Sequence, residues 1–319
     1  MSYRQLTQEQ RYQIGAGLKM GMKKSLIAKE VKIDRTTLWR EIKRNSTPYR
    51  YNPSRAIRLT RERHERKRKR DIDQKTMARV EMLLCRGWSP EQICERLKVE
   101  GLATVSHETI YRHIYRDKRQ GGALYIFLRR RHTYRKRSHK YCSRKGWNTR
   151  RPISERPAVV DERSRIGDWE ADTIIGSERK GGVLSLVERR SRYCLLHKVE
   201  TKSAATVAEA ICSSMLSVKD KVLTITSDNG IEFMHHQSVA STLDADFFFA
   251  DPYSSWQRGT NENTNGLVRQ YFPKRTNFAI VSAEAIRDVA DRLNNRPRKV
   301  LNFRTPNEVF FNRFVALIS

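Results

Sequence analysis

The sequence of 319 residues is poor in the features that mark secreted and membrane proteins. No apolar run approaches the ~18 residues of a membrane span, and the N-terminus lacks the charged-then-apolar pattern of a secretory signal. Its five cysteines, Cys85, Cys94, Cys142, Cys194 and Cys212, are scattered without a C-x-x-C pair. That argues against a disulfide scaffold or a zinc ribbon and fits a reducing cytoplasm. Acidic residues are scarce in one half only. Residues 1–160 hold 15 acids against 42 bases, a net +27, whereas residues 161–319 hold 20 against 22, a net +2. A half-chain with nearly the whole excess has the electrostatic footprint of a polyanion binder. No basic amphipathic helix carries a strong Trp/Phe/Leu face, so nucleic acid fits better than a membrane surface.

The basic half reads as two small helical units. Thr7 and Gln10 form a capping-box start, and Tyr12, Ile14, Leu18 and Met22 follow at roughly helical spacing. Gly21 punctuates before a second helix over 25–31. A third, "RTTLWREIKRN", turns Leu38 and Ile42 inward and Arg35, Thr36, Arg40, Lys43 and Arg44 outward. Short helix, tight turn and a helix with an Arg/Thr face is helix-turn-helix logic, with the last helix entering the major groove. An ordinary three-helix bundle is the bland reading, and the outward bases favour DNA. The pattern recurs in "GWSPEQICERL", with Ser89 as cap and Pro90 at the first helical position, and in "VSHETIYRHIYRDK". There Ile110 and Ile114 face inward, and His107, Arg112 and Arg116 are candidate DNA contacts. Tyr111 and Tyr115 could equally pack in a core. The runs "RERHERKRKR" and "RRRHTYRKRSHKYCSRK" read as basic linkers able to neutralise phosphates without reading bases.

From about residue 156 the texture changes. Segments 168–175, 182–189 and 192–200 read as a three-strand meander, followed by a helix over 203–216 and a buried strand over 221–228. A helix over 232–243, a short strand over 245–253 and helices over 257–271 and 283–293 complete the series. The expected fold is multidomain: helix-turn-helix units, then an α/β domain with a mixed five-stranded sheet covered by helices. The boundaries read as a first helix-turn-helix domain over 1–60, a basic linker over 61–75 and a second unit over 76–120. A second linker covers 121–155 and the α/β domain 156–319.

Three acids carry the candidate chemistry. Asp228 ends a strand, where open mixed sheets place ligands, although it could simply start an Asx-turn at Asn229-Gly230. Asp168, Glu170 and Asp172 share one strand face, so that face is wet or a cation compensates it. Spacing alone leaves open which of the three faces Asp228. Glu262 lies near the start of a helix rich in asparagine, where the helix dipole favours its ionised form. A local pair with Arg258 is the simple alternative, worth a few tenths of a kcal/mol. Asp, Asp and Glu without His or Cys are hard oxygen ligands suited to Mg2+ or Mn2+. Two such ions ~4 Å apart serve in-line phosphoryl displacement.

The motifs "GDWEADTIIG", "SDNGIEF" and "FADPYSSWQRGTNENTNGLVRQYFPK", with "LTQEQRYQI", "REIKRN", "GWSPEQI" and "VSHETIYRHIY", resemble bacterial insertion-sequence transposases of the IS30 family over nearly the whole chain. The resemblance implies an RNase H-like, retroviral-integrase-like catalytic domain with a DDE triad of Asp172, Asp228 and Glu262. The 33 residues between the last two fit the family spacing. It also implies two Mg2+ or Mn2+ ions and double-stranded DNA, both terminal inverted repeats and target, as partner. A dimer or larger assembly on DNA is expected as well. Arg269, with Arg258 and Lys274, becomes a candidate DNA contact. A DNA-binding regulator with an inert oligomerisation domain is the rival reading, and a stand-alone nuclease is another.

Overall fold

The computed structural model describes residues 5–48, 50–67, 72–128, 150–177 and 181–314. The basic run 129–145 therefore lies outside the described residues, as do 68–71 of the first one. The chain divides into two compact units, Met1–Ile72 and Asp73–Ser319.

In the first unit, α1 (Gln8–Lys19), α2 (Lys24–Glu30) and α3 (Arg35–Asn45) form where the sequence expects them. The Thr7–Gln10 capping box is made in both directions, and Asp34 caps α3 by accepting from the Thr36 N–H at 2.7 Å. Ile14, Ile27, Ala28, Val31 and Leu38 form the core. Helix α4 (Pro53–Lys67) runs through the first seven residues read as a linker. Composition hides it because its anchors are few and polar. Ala56 is fully buried, and Thr60 accepts from Arg11, which itself pairs with buried Glu41 on α3 at 2.8 Å. α4 can approach α1 because Gly15 has no Cβ where the Pro53 ring lies. Gly15→Val is therefore expected to destabilise this unit by about 1–3 kcal/mol through overpacking, read as a lowered midpoint in thermal unfolding.

The second unit begins with α5 (Gln74–Cys85), α6 (Pro90–Val99) and α7 (His107–Arg119). Ser89 and Gln92 complete the capping box on α6, and Ile110 and Ile114 are fully buried. Tyr111 and Tyr115 stack on each other, ring centroids 6.3 Å apart, and the Tyr115 ring stays half exposed. Strand β1 (Arg151–Pro152) and α8 (Ala158–Glu162) lead into the meander β2 (Asp168–Ile175), β3 (Gly182–Glu188) and β4 (Cys194–Val199). Then follow α9 (Ala204–Met215), β5 (Thr224–Ser227), α10 (His236–Leu243) and β6 (Asp246–Phe249). The chain continues through α11 (Gly259–Tyr271), α12 (Ala283–Asn294) and α13 (Pro306–Phe310).

The sheet has six strands in the order β1-β6-β5-β2-β3-β4, rather than the five expected. The extra one is a two-residue edge strand parallel to β6, too short to leave a period in the sequence. β2, β3 and β4 are antiparallel, while β2–β5 and β5–β6 are parallel. Alternation along β2 sorts its side chains. Trp169 and Ala171 enter the core made with α9 and α10, and Ile174 enters the core made with α11 and α12. Among the described residues no helix is long and apolar enough to cross a membrane.

Candidate active site

β2 and β5 run parallel in a register that sets Asp168 beside Thr224 and Glu170 beside Thr226. Carried two residues further, the same offset brings Asp172 level with Asp228, just beyond the carboxyl end of β5. The three acids on the β2 face each meet an arginine. Arg165 holds Asp168 at 3.0 and 3.1 Å, and Arg189 holds Glu170 at 2.9 Å. Arg258 lies between Asp172 and Asp228, 3.5 Å from the first and 3.3 Å from the second. The charge on this face is thus compensated by protein cations.

The ladder separates structural from available acids. Asp168 and Glu170 are sealed from solvent, and Glu170 also accepts from the Asn261 N–H at 2.7 Å, tying down the first turn of α11. Asp172 and Asp228 are partly open, with side chains 26% and 40% exposed. Asp172 accepts from the Thr173 N–H at 3.0 Å and from the Asn265 amide at 2.7 Å. Burial pushes its carboxyl above the ordinary range, Arg258 pulls it back, and the Asp228 charge raises it again, for a net upward shift. Asp228 does start an Asx-turn, accepting from the Gly230 N–H at 2.9 Å, while its other oxygen faces Arg258.

Glu262 sits in the first turn of α11, exposed, and among the described residues it makes no hydrogen bond or ion pair. The local pair with Arg258 does not form, because Arg258 is drawn to β2 and β5. Within α11, Asn265 follows Glu262 by three residues, so the two share a helix face, and Asn265 donates to Asp172. Arg269, seven residues on, donates to the Ile175 carbonyl at the far end of β2 at 2.8 Å, and burial lowers its pKa. Lys274 is exposed in the turn after α11. Among the described residues no group of three His, Cys, Asp or Glu side chains is close enough to hold a metal ion. Asp172 and Asp228 come together, both within reach of Arg258; Glu262 is exposed in the first turn of α11 and is not joined to them by any contact among the described residues.

Several contributors were not named from the sequence. Asn261 is fully buried and exchanges hydrogen bonds with Ser185 on β3, docking α11. Asn265 orients Asp172. Glu232, almost fully buried, accepts from the Thr173 hydroxyl and pairs with Lys202. The signal for Asn265 was available in its helical spacing from Arg258 and Glu262; nothing local marked Glu232.

The chain is 43% identical over 309 residues to the transposase for insertion sequence element IS4351 of Bacteroides fragilis, covering 96% of this chain and 95% of that protein. It is 36% identical to transposase InsI for insertion sequence element IS30A of Escherichia coli (strain K12), covering 98% of this chain and 84% of that protein. The chain belongs to the IS30 family of insertion-sequence transposases. A third member, the transposase for IS1086 of Cupriavidus metallidurans, is 35% identical, with 96% and 94% covered. A family described as a homeodomain-like domain matches residues 47–114, which takes in α4, α5, α6 and the buried stretch of α7. Among solved structures, a chain of the simian T-cell lymphotropic virus intasome in complex with PP2A regulatory subunit B56 gamma aligns with a TM-score of 0.40 at 16% identity, covering 48% of this chain and 57% of that one. The catalytic core domain of BIV integrase aligns with a TM-score of 0.37 at 20% identity, covering 46% and 95%.

In this family member the outward-facing residues expected on α3 (Arg35, Thr36, Arg40, Lys43 and Arg44) are all exposed, as are His107, Arg112 and Arg116 on α7. Trp39, missed in the sequence, lies among the first set with the Lys43 ammonium 4.6 Å from its ring centroid.

Proposed function

We propose that the chain is the DNA transposase of its element, acting in the cytoplasm on the terminal inverted repeats. It cleaves a strand at each element end by hydrolysis, and the liberated 3′-OH then attacks a second phosphodiester, forming a new P–O bond as the 3′-oxygen of the attacked strand leaves and takes up the proton. The observation that carries this reading is the pairing of Asp172 with Asp228 at the carboxyl end of parallel strands, bordered by the α11 face that bears Glu262.

Asp172, Asp228 and Glu262 would hold divalent Mg2+ or Mn2+, two ions per site. The donor set fits, since all three are hard carboxylate oxygens. A buried acceptor beside them, Asn265 Oδ1, also has no partner among the described residues. Divalent ions there supply activation of the attacking water or hydroxyl and stabilisation of the leaving oxygen. The chain's own groups arrange the carboxylates. Asn265 and the Thr173 N–H fix Asp172, the Gly230 N–H fixes Asp228, and Glu170 seats the helix that presents Glu262. Arg258, Arg269 and Lys274 line the approach with positive charge. Two ends joined in one reaction call for a dimer or larger assembly.

The helical units bind the ends, with α3 and α7 as groove-facing helices and the basic stretches gripping phosphates. Arg40→Ala is expected to weaken duplex binding and reduce the slope of log affinity against log salt by about 1. An unchanged slope would remove α3 from the interface. The reading as a whole is tested with a labelled fragment carrying the element's ends. In Mg2+ it should yield nicked ends and then joined strands. Nicks that never progress to joined strands would make the chain a nuclease, and no Mg2+-dependent product at all would leave the regulator reading.

A further inference from the structure

The arginines on the acid ladder are not equally well held. Those serving Asp168 and Glu170 sit at 2.9–3.1 Å. Arg258 stands off at 3.5 Å from Asp172 Oδ1, 3.3 Å from Asp228 Oδ2 and 3.3 Å from the Ala171 carbonyl. Its Nε is buried with no hydrogen-bond partner among the described residues. Charge-assisted bonds ordinarily close to about 2.7–2.9 Å, and an unmade buried bond keeps its desolvation penalty. Arg258 is therefore a cation in place but weakly retained, at the edge of a helix whose next turn carries the exposed Glu262.

We propose that Arg258 is a displaceable counter-ion: it competes with a divalent cation for the Asp172 and Asp228 oxygens and, once displaced, pairs with a DNA phosphate. The inference rests on the reading of those carboxylates as metal ligands. A divalent cation on those oxygens draws off the charge that holds Arg258 at 3.3–3.5 Å and repels the guanidinium, so metal binding weakens its hold in a half-buried place. A phosphate entering the site restores the balance. Metal and DNA are then coupled, each tightening the other by the same factor. This arrangement keeps the metal weakly bound until DNA is present.

The test is calorimetric titration of the full chain with Mn2+, with and without a short duplex, for wild type, Arg258→Gln, Arg258→Lys and Asp228→Asn. Circular dichroism checks that each variant is folded. Arg258→Gln should bind Mn2+ at least about fivefold more tightly than wild type in the absence of DNA. The duplex should tighten Mn2+ binding by wild type and have little effect on Arg258→Gln. Arg258→Lys keeps the charge and should stay close to wild type; if the Gln variant does not fold, a duplex that leaves wild-type Mn2+ binding unchanged overturns the counter-ion role. Mn2+ binding to folded Arg258→Gln no tighter than wild type, with Asp228→Asn binding lost, overturns the counter-ion role alone. Unchanged Mn2+ affinity in Asp228→Asn overturns the metal-site reading and this inference together.

Discussion

Asp228→Asn is expected to lower Mg2+-dependent end cleavage by more than about 10^3-fold while leaving duplex affinity unchanged. The substitution is nearly isosteric, and an Asn Oδ1 can still accept from the Gly230 N–H, so the turn after β5 is preserved. What disappears is one negative charge facing Arg258 and one of the carboxylate oxygens proposed to hold the metal. The faces of α3 and α7, proposed to meet DNA, are built from other residues, so duplex affinity should not change. Glu262→Gln should give the same loss of cleavage with unchanged thermal stability, since that side chain is exposed and bonded to nothing among the described residues. Glu170→Gln provides the contrast. Its oxygens are sealed between Arg189 and the Asn261 N–H, so the effect falls on stability and on the seating of α11. Retained cleavage in Asp228→Asn would end the assignment of the acids.

The legible parts of the fold were those with a period or a punctuation mark. Alternation gave β2, short apolar runs bounded by glycine or charged residues gave β3 and β4, and the capping boxes at Thr7 and Ser89 gave helix starts to the residue. The five-residue helix α8 and the two-residue β1 carry neither signal, whereas α13 opens on a capping box of Thr305 and Glu308 with Pro306 at its first position, a mark missed in the sequence. Within the site, Asp228 was visible because a turn pair follows a buried strand. The choice among Asp168, Glu170 and Asp172 was not visible in spacing, since all three share a face. It depends on strand register and on which arginine each acid meets, and both are long-range facts. Arg258 shows the same limit from the other side. Its nearest acid on the helix is Glu262, yet its partners lie 86 and 30 positions away, on β2 and after β5.

The largest stability effect is expected at the join between α6 and α13. Arg96 and Glu308 are both fully buried and paired through two bonds of 2.7 Å, with Glu100 accepting from the Arg96 Nε at 2.6 Å and the Thr305 N–H donating to Glu308. Arg96→Met leaves Glu308 charged and dry, and removing one partner of such a pair costs about 3–5 kcal/mol. The double replacement Arg96→Met, Glu308→Leu removes that pair but leaves Glu100 without the Arg96 Nε, so it should recover part of the loss, which separates the stranded Glu308 charge from simple loss of packing. Denaturant unfolding of the four proteins measures it; a single-variant loss below about 1 kcal/mol would mean that water reaches the pair. The pair also bears on how the α5–α7 unit works. A helix-turn-helix unit on a free tether needs no buried ion pair to a distant C-terminal helix. Gln92, which donates to the Pro297 carbonyl, and Lys299, which reaches Glu91, reinforce the same join. α6 therefore belongs to the catalytic unit, and the α7 face is carried at a fixed offset from Asp172 and Asp228. A double variant that recovers part of the stability but not the position of cleavage would show that the ionic join sets that offset, because packing alone would then hold the unit without registering it.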